Sequence, residues 1–281
     1  MTLNIHHTTQ YTFDEQIFLE PHYFKFSPLP RPYYDVLDFK IILDPLPSGI
    51  SERSGIESNT YYQSWFNEKT DFLNIDVQIS LDIKKNNPFD FYIDMPFGFD
   101  SPELYHKFEK EALIFYLTPI AMSEKLVAWS QDIRDSAGDN LITYLSFLNQ
   151  SIHSKIAHQV RMESDILSPD ALFDKKTGSC RDLSWMMIHL LRRQGLAARF
   201  VSGYSFNPEL KEGHELHAWV DVYLPGGGWI GLDPSAGIFT TETYIPVCAS
   251  FDPEYTKPVI GNYRGSATSS MKSSVEIDLE G

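Results

Sequence analysis

Thr177-Gly178-Ser179-Cys180-Arg181-Asp182-Leu183-Ser184-Trp185 is the stretch on which the fold turns. Gly178 and Ser179 break what precedes them. From Leu183 onward, Trp185, Met186, Met187, Ile188, Leu190 and Leu191 cover most of a helical surface until Gly195. That spacing predicts a buried helix stopped by a glycine, with Cys180 in its first turn. The first N–H groups of a helix have no partner within it, and they lie at the positive end of the macrodipole. A thiol placed there ionises more readily, and the thiolate is the reactive form of cysteine. Cys180 is therefore a candidate nucleophile. The plainer alternative is a lone cysteine packed as a small hydrophobe.

What tells against that alternative lies downstream. His217-Ala218-Trp219-Val220-Asp221-Val222-Tyr223-Leu224-Pro225 alternates and is rich in Val, Tyr and Trp, which reads as a strand. Gly226-Gly227-Gly228 reads as a turn, and Trp229 to Asp233 as the returning strand, closed by Pro234. An antiparallel hairpin of this kind can carry His217 and Asp233 to one end of a sheet. Cysteine, histidine and a carboxylate gathered by the fold are the parts of a thiol triad. Asp221 competes for the third place, but alternation puts it on the face of His217 and Trp219, several residues along.

In these pieces the chain resembles the bacterial transglutaminase-like proteins, a branch of the papain-like thiol enzymes. The matching segments are Gly178-Ser179-Cys180-Arg181-Asp182, Arg199-Phe200-Val201-Ser202-Gly203-Tyr204, His217-Ala218-Trp219-Val220 and Asp233-Pro234-Ser235, in the family's order and spacing. The approach to the cysteine, His158-Gln159-Val160-Arg161-Met162-Glu163 followed by Ser168-Pro169, is similar too. The N-terminal third resembles the β-domain that often precedes this core. Ser54-Gly55-Ile56-Glu57-Ser58-Asn59 stands where that domain often shows an aspartate, a glycine and an asparagine.

The resemblance implies an α+β fold: an N-terminal antiparallel β-sandwich over residues 1–95, then a papain-like core over 96–281. Within the latter, a helical part spans about 100–155 and the core proper about 156–245, with the Cys180 helix packed on an antiparallel sheet. It implies that Cys180 is the nucleophile, His217 the general base and acid, and Asp233 the group that orients the imidazole. Acyl transfer on amide bonds follows. Hydrolysis of peptide or isopeptide bonds is the expected outcome; transamidation of protein glutamine and an inactive binding module are the alternatives. The Cys180 N–H is a natural oxyanion donor. Papain-like enzymes often add a side chain upstream of the cysteine, and Gln159 is the candidate here. Trp219 and His214, flanking His217, are the candidate substrate contacts.

Composition bounds the rest. The chain has 281 residues and a net charge of -15, with 42% hydrophobic and 14% aromatic residues, enough for one or two domains with a sizeable core. Such acidity argues against nucleic acid and anionic membranes as partners, and leaves a peptide or protein substrate. No stretch approaches the roughly 20 apolar residues of a membrane span. No basic-then-apolar leader opens the sequence, and with two cysteines, Cys180 and Cys248, a reducing cytoplasmic setting with free thiols is expected. Cys248 lies in an apolar segment and reads as structural. In His214-Glu215-Leu216-His217 the histidines are three apart rather than the four of a zinc-protease helix, so neither a metal nor any other cofactor is expected. No acidic loop has calcium-ligand spacing. His189, on the Cys180 helix, reads as a core histidine.

Along the chain, strands are expected over Asn4–Thr12, Phe18–Phe26, Asp35–Leu43, Asn59–Phe66 and Phe72–Leu81. Asn86 to Pro102 reads as a junction. Helices are expected after the capping Ser123, over Asp139–Ile152, and after Ser168-Pro169, where a serine cap precedes an early proline. A strand over Ala197–Tyr204 follows the Cys180 helix, and Asn207–Gly213 is expected as a polar loop at the mouth of the site. A serine-rich arm over Ser266–Ser274 leads to a last edge strand, Val275–Leu279.

Overall fold

The computed structural model describes residues 1–93, 104–161, 163, 165–207 and 215–280. The first six strands are β1 (Thr2–Leu19), β2 (His22–Phe24), β3 (Tyr34–Asp44), β4 (Gly49–Ser54), β5 (Thr60–Trp65) and β6 (Lys69–Ile83). Helices follow: α1 (Lys107–Ala112), α2 (Ile114–Leu117), α3 (Glu124–Ala137) and α4 (Leu141–Lys155). Then come β7 (Ala157–His158), α5 (Pro169–Lys175), β8 (Thr177–Gly178) and α6 (Cys180–Arg193). The remaining strands are β9 (Ala198–Ser205), β10 (His217–Leu224), β11 (Gly228–Asp233), β12 (Ile238–Phe239), β13 (Tyr244–Ser250), β14 (Val259–Ile260), β15 (Tyr263–Arg264) and β16 (Ser269–Glu280).

Alternation builds the sandwich. In β1 and β6 every second residue points inward over most of the strand, and Leu3, Ile5, Leu73, Ile75, Val77, Ile79 and Leu81 are buried. One sheet runs β15-β1-β6-β3 with β16 also on β1; the facing sheet runs β14-β2-β5-β4. The sequence division at residue 95 gave this sandwich to the N-terminal segment. In the structure β14, β15 and β16 return to it, and β16 pairs with β1 from Thr2↔Glu280 to Phe13↔Ser269. The physical reason is that β1 needs a partner on both edges, and Val275 and Ile277 close the core that β1 and β6 leave open. The strand expected over Val275–Leu279 thus begins earlier, within the serine-rich arm, and β4 is a strand absent from those expected.

The α+β reading of the second part holds. A five-stranded antiparallel sheet in the order β12-β11-β10-β9-β13 carries α6 on one face. The α6 side of that sheet buries Phe200, Val220, Val222 and Leu232 against Leu183, Met187, Leu190 and Leu191. Tyr204, Ile245 and Val247 of β9 and β13 join the sandwich core instead. The sheet is therefore sandwiched between helices and the β-domain, and its β10–β11 end is held at a fixed place between them. Helices α3, α4 and α5 start at the expected caps in two cases, Ser123 and Ser168, and at Asn140 in the third. Part of the expected junction, 94–102, and of the expected mouth loop, 208–213, lies outside the described residues.

Candidate functional site

The start of α6 is built by Asp182. Its carboxylate accepts from the Ser179 N–H at 2.7 Å and the Ser179 hydroxyl at 2.8 Å, closing a capping box. It also accepts from the Leu167 N–H at 2.8 Å and from Arg161 Nη1 at 2.9 Å. Those donors outweigh burial and hold the carboxyl below its ordinary range. Because they occupy both oxygens, the negative charge is neutralised by Arg161 and not turned on the thiol. The neighbouring Arg181 turns away from Asp182 and donates to the carbonyls of Arg161 and Glu163. Gly178 is required at its position, since a Cβ there would lie 2.5 Å from Leu172 Cδ1 and 3.0 Å from Asp182 Cβ.

The other two residues arrive on the hairpin. β10 and β11 pair antiparallel with Val220 opposite Leu232 and Leu224 opposite Gly228, which leaves His217 and Asp233 at the open end. His217 Nε2 donates to Asp233 Oδ2 at 2.7 Å. The same oxygen accepts from the Tyr244 hydroxyl at 2.9 Å, and Oδ1 accepts from the N–H (2.9 Å) and hydroxyl (2.7 Å) of Ser235. The loop after Asp233 is itself tied to α4, where Asn149 donates to the Ile238 carbonyl at 2.9 Å and His153 Nδ1 bonds the Ser235 carbonyl at 2.9 Å. Asp221, the competitor, is buried between Arg199 (2.9 Å) and Arg31 (3.0 Å) and takes no part.

With Nε2 on Asp233, His217 has Nδ1 left for Cys180. Burial pushes the Cys180 thiol up, but hydrogen bonds from His158 and His217, the charge of His217 and the Ala218 N–H outweigh it and bring the thiol down to about 6. Burial works against the charged form of His217 too, and the Asp233 carboxylate and the thiol partner hold it well above its ordinary value. Asp233 is held low, at about 2, by His217, Ser235 and Tyr244 against the effect of burial. The electrostatics favour a thiolate beside an imidazolium. Cys248, by contrast, is buried and pushed up to about 11. Burial lowers His189 to about 3, and its Nδ1 accepts from the Ile120 N–H at 3.2 Å.

A cleft of about 920 Å³ opens over Cys180, His158, His217 and Asp233, and Val160, Ile166, Phe206 and Leu216 line it alongside. Two expected contacts fall elsewhere. Gln159 is exposed, and its side-chain oxygen accepts from Thr177 Oγ1 at 3.2 Å, because alternation turns it to the side opposite His158. It is not an oxyanion donor in this arrangement; His158 is the residue that reaches the thiol. Trp219 is buried, packs edge-on against Tyr244 with ring centroids 5.4 Å apart and does not line the cleft, so it supports the site from below. His214 lies outside the described residues. Sequence reasoning missed His158 and Tyr244. The first was quoted only within a motif; the second carries no local signal beyond an aromatic in a strand. Among the described residues, no group of histidines, cysteines and carboxylates is arranged to hold a metal ion.

Comparison with known proteins agrees with the fold. A Cytophaga hutchinsonii crystal structure named "Putative Cysteine Protease" superposes over 99% of this chain and 90% of its own, with a TM-score of 0.72 at 19% identity. A protein-glutamine gamma-glutamyltransferase of Pseudomonas aeruginosa is 37% identical over 73 residues, 24% of this chain and 11% of that protein. An uncharacterized Mycobacterium leprae protein is 33% identical over 107 residues, 36% of this chain. The chain spans little more than a third of the latter (37%) and about a tenth of the former. Residues 127–234 match the transglutaminase-like superfamily core, and residues 3–82 match the bacterial transglutaminase-like N-terminal region. With both segments present in order, the chain belongs to the bacterial transglutaminase-like proteins.

Proposed function

We propose that this chain is a thiol-dependent acyl-transfer enzyme that cleaves amide bonds of a peptide or protein, with water as acceptor. The observation that carries the reading is the line Cys180–His217–Asp233 at the base of an open cleft, with the thiol low and the imidazole high. The thiolate attacks the amide carbonyl carbon. A C–S bond forms and the π pair moves to oxygen, which the Cys180 N–H at the helix start is suited to receive. Collapse expels the amine, which takes its proton from His217, and a thioester remains on Cys180. Water then attacks, His217 accepts its proton, and release of the acid restores the ion pair. Asp233 keeps the ring in one tautomer and stabilises its charged form. Free Cys180 and Cys248 fit a reducing compartment, and the cytoplasm is the proposed setting.

The test is the rate of Cys180 alkylation by iodoacetamide against pH, read by mass spectrometry, with Cys248 as the control in the same chain. The expected midpoint lies near 6, and His217→Gln moves it up toward the ordinary thiol value of about 8.5. A parent thiol that titrates near 8.5, or stays inert, would sink the proposal.

Transamidation is the second reading, favoured by the similarity to the protein-glutamine gamma-glutamyltransferase. Once an acyl donor is found, a labelled primary amine at millimolar concentration separates the two. Label carried into product at the expense of free acid supports transamidation; unchanged hydrolysis supports water.

A further inference from the structure

His158 holds a position that the proposed triad does not use. It lies on β7, which pairs in parallel with β8, and stands opposite Gly178, two residues before Cys180. Backbone bonds pin it on both sides: the Ala157 N–H donates to the Lys176 carbonyl at 2.9 Å and the Gln159 N–H to the Gly178 carbonyl at 2.8 Å. Successive side chains on this strand point to opposite sides, so fixing Gln159 against Thr177 turns His158 into the cleft. There its imidazole meets the Cys180 thiol, which His217 approaches from β10.

Building on the proposed thiol chemistry, we infer that His158 is a second catalytic imidazole: a neutral ring that donates an N–H bond to the Cys180 thiolate while His217 carries the proton. The division of labour follows from the surroundings. Asp233 grips His217 and stabilises its charge, whereas among the described residues no carboxylate is hydrogen-bonded to His158. The hydrogen bond to the Cys180 thiol raises His158 above its ordinary value, while burial and the charge on His217 oppose a second cation there; with His217 carrying the proton, the thiolate draws an N–H from the ring that stays neutral. The ionisable groups that His158 feels are Cys180 on α6, His217 on β10 and Asp233 on β11. Arg161, Arg181, Glu215, Glu254 and Lys257 also line the cleft. Two donors on one sulfur stabilise the charge more than one does, so the thiol stays ionised further into acid. The cost is some intrinsic nucleophilicity, which falls as a thiol's pKa falls.

That trade gives a signature that a merely structural role would not show. In the full chain, His158→Phe keeps a ring of similar size but no donor, and His158→Gln keeps an N–H donor. For His158→Phe the alkylation midpoint of Cys180 rises by about one pH unit, so the rate at pH 5 drops roughly three- to tenfold, depending on how far the intrinsic rate rises. Its rate at pH 9.5, where the thiol is fully ionised, stays equal or rises up to about threefold. His158→Gln falls between parent and His158→Phe. A circular-dichroism melt and an unreactive Cys248 confirm folding; if the Phe variant fails them, the Gln midpoint decides. A parent midpoint near 6 with variant midpoints unchanged overturns the role of His158 and leaves the triad reading standing. A parent midpoint near 8.5 overturns both.

Discussion

Asp182 never touches the reacting atoms, and its loss would still be among the most damaging single changes near the site. It is fully buried, it caps α6 through Ser179, and it neutralises a nearly buried Arg161. Asp182→Ala takes away the buried partner of that guanidinium, which keeps only the exposed Asp165 and Glu163, and leaves two N–H groups without an acceptor, which costs about 2–5 kcal/mol. Urea denaturation would read this as a lower midpoint at an unchanged slope; a change under about 1 kcal/mol would show that the network is slack. Asp182→Asn keeps one acceptor oxygen and loses less. At this scale the sequence was readable where chemistry is local. Cys180, His217 and Asp233 each sit in a short motif whose turn or strand pattern is self-evident. Choosing between His158 and Gln159 is a different matter, because a one-residue change of register exchanges their sides. The register is set by β8, which lies beyond an intervening helix and leaves no mark on residues 157–159.

Among the elements, β9 shows how closely the sheet is drawn together behind the site. Gly203 lies opposite His217 on one side and Pro246 on the other. A Cβ at Gly203 would lie 2.2 Å from the Ile245 carbonyl oxygen and 2.6 Å from Trp219 Cη2. Neither can yield easily: the first is backbone in a paired strand, and the second is a buried indole packed on Tyr244. Gly203→Ala therefore forces β9 and β13 apart, with an expected loss of about 1–3 kcal/mol. It should also loosen the Tyr244–Asp233 bond and raise the alkylation midpoint of Cys180; thermal melting together with the pH profile checks both. The helices were readable from capping residues and apolar spacing, Ser123, Ser168 and Gly195 above all. Strand lengths were not. β1 runs from Thr2 to Leu19 through a polar middle, Thr12 to Gln16, that pattern alone would end early.

For the whole molecule, the sandwich is made from both ends of the sequence, with the site-bearing segment between them. Ending the chain at Thr268 removes β16, uncovers one edge of β1 and exposes the core that Val275 and Ile277 seal. The expected result is a species that self-associates through the bared edge, seen as early elution in size-exclusion chromatography; a monomer of unchanged melting temperature would contradict it. The partnership of β1 with β16 was not legible, since a strand's pattern shows which face is buried but not which distant strand completes the sheet. It also orders events in time. During synthesis β1 and β6 can pair long before β16 exists, and at about 5–20 residues per second the wait is tens of seconds. Closing Thr2 onto Glu280 through an unfolded intervening chain would be slow, since such non-local pairings must first overcome loop-closure entropy. If residues 104–258 collapse first, they hold the ends of β6 and β14 together, and the long loop becomes a short one. The sheet that carries His217 would then serve, before any substrate arrives, as the template on which the β-domain is finished.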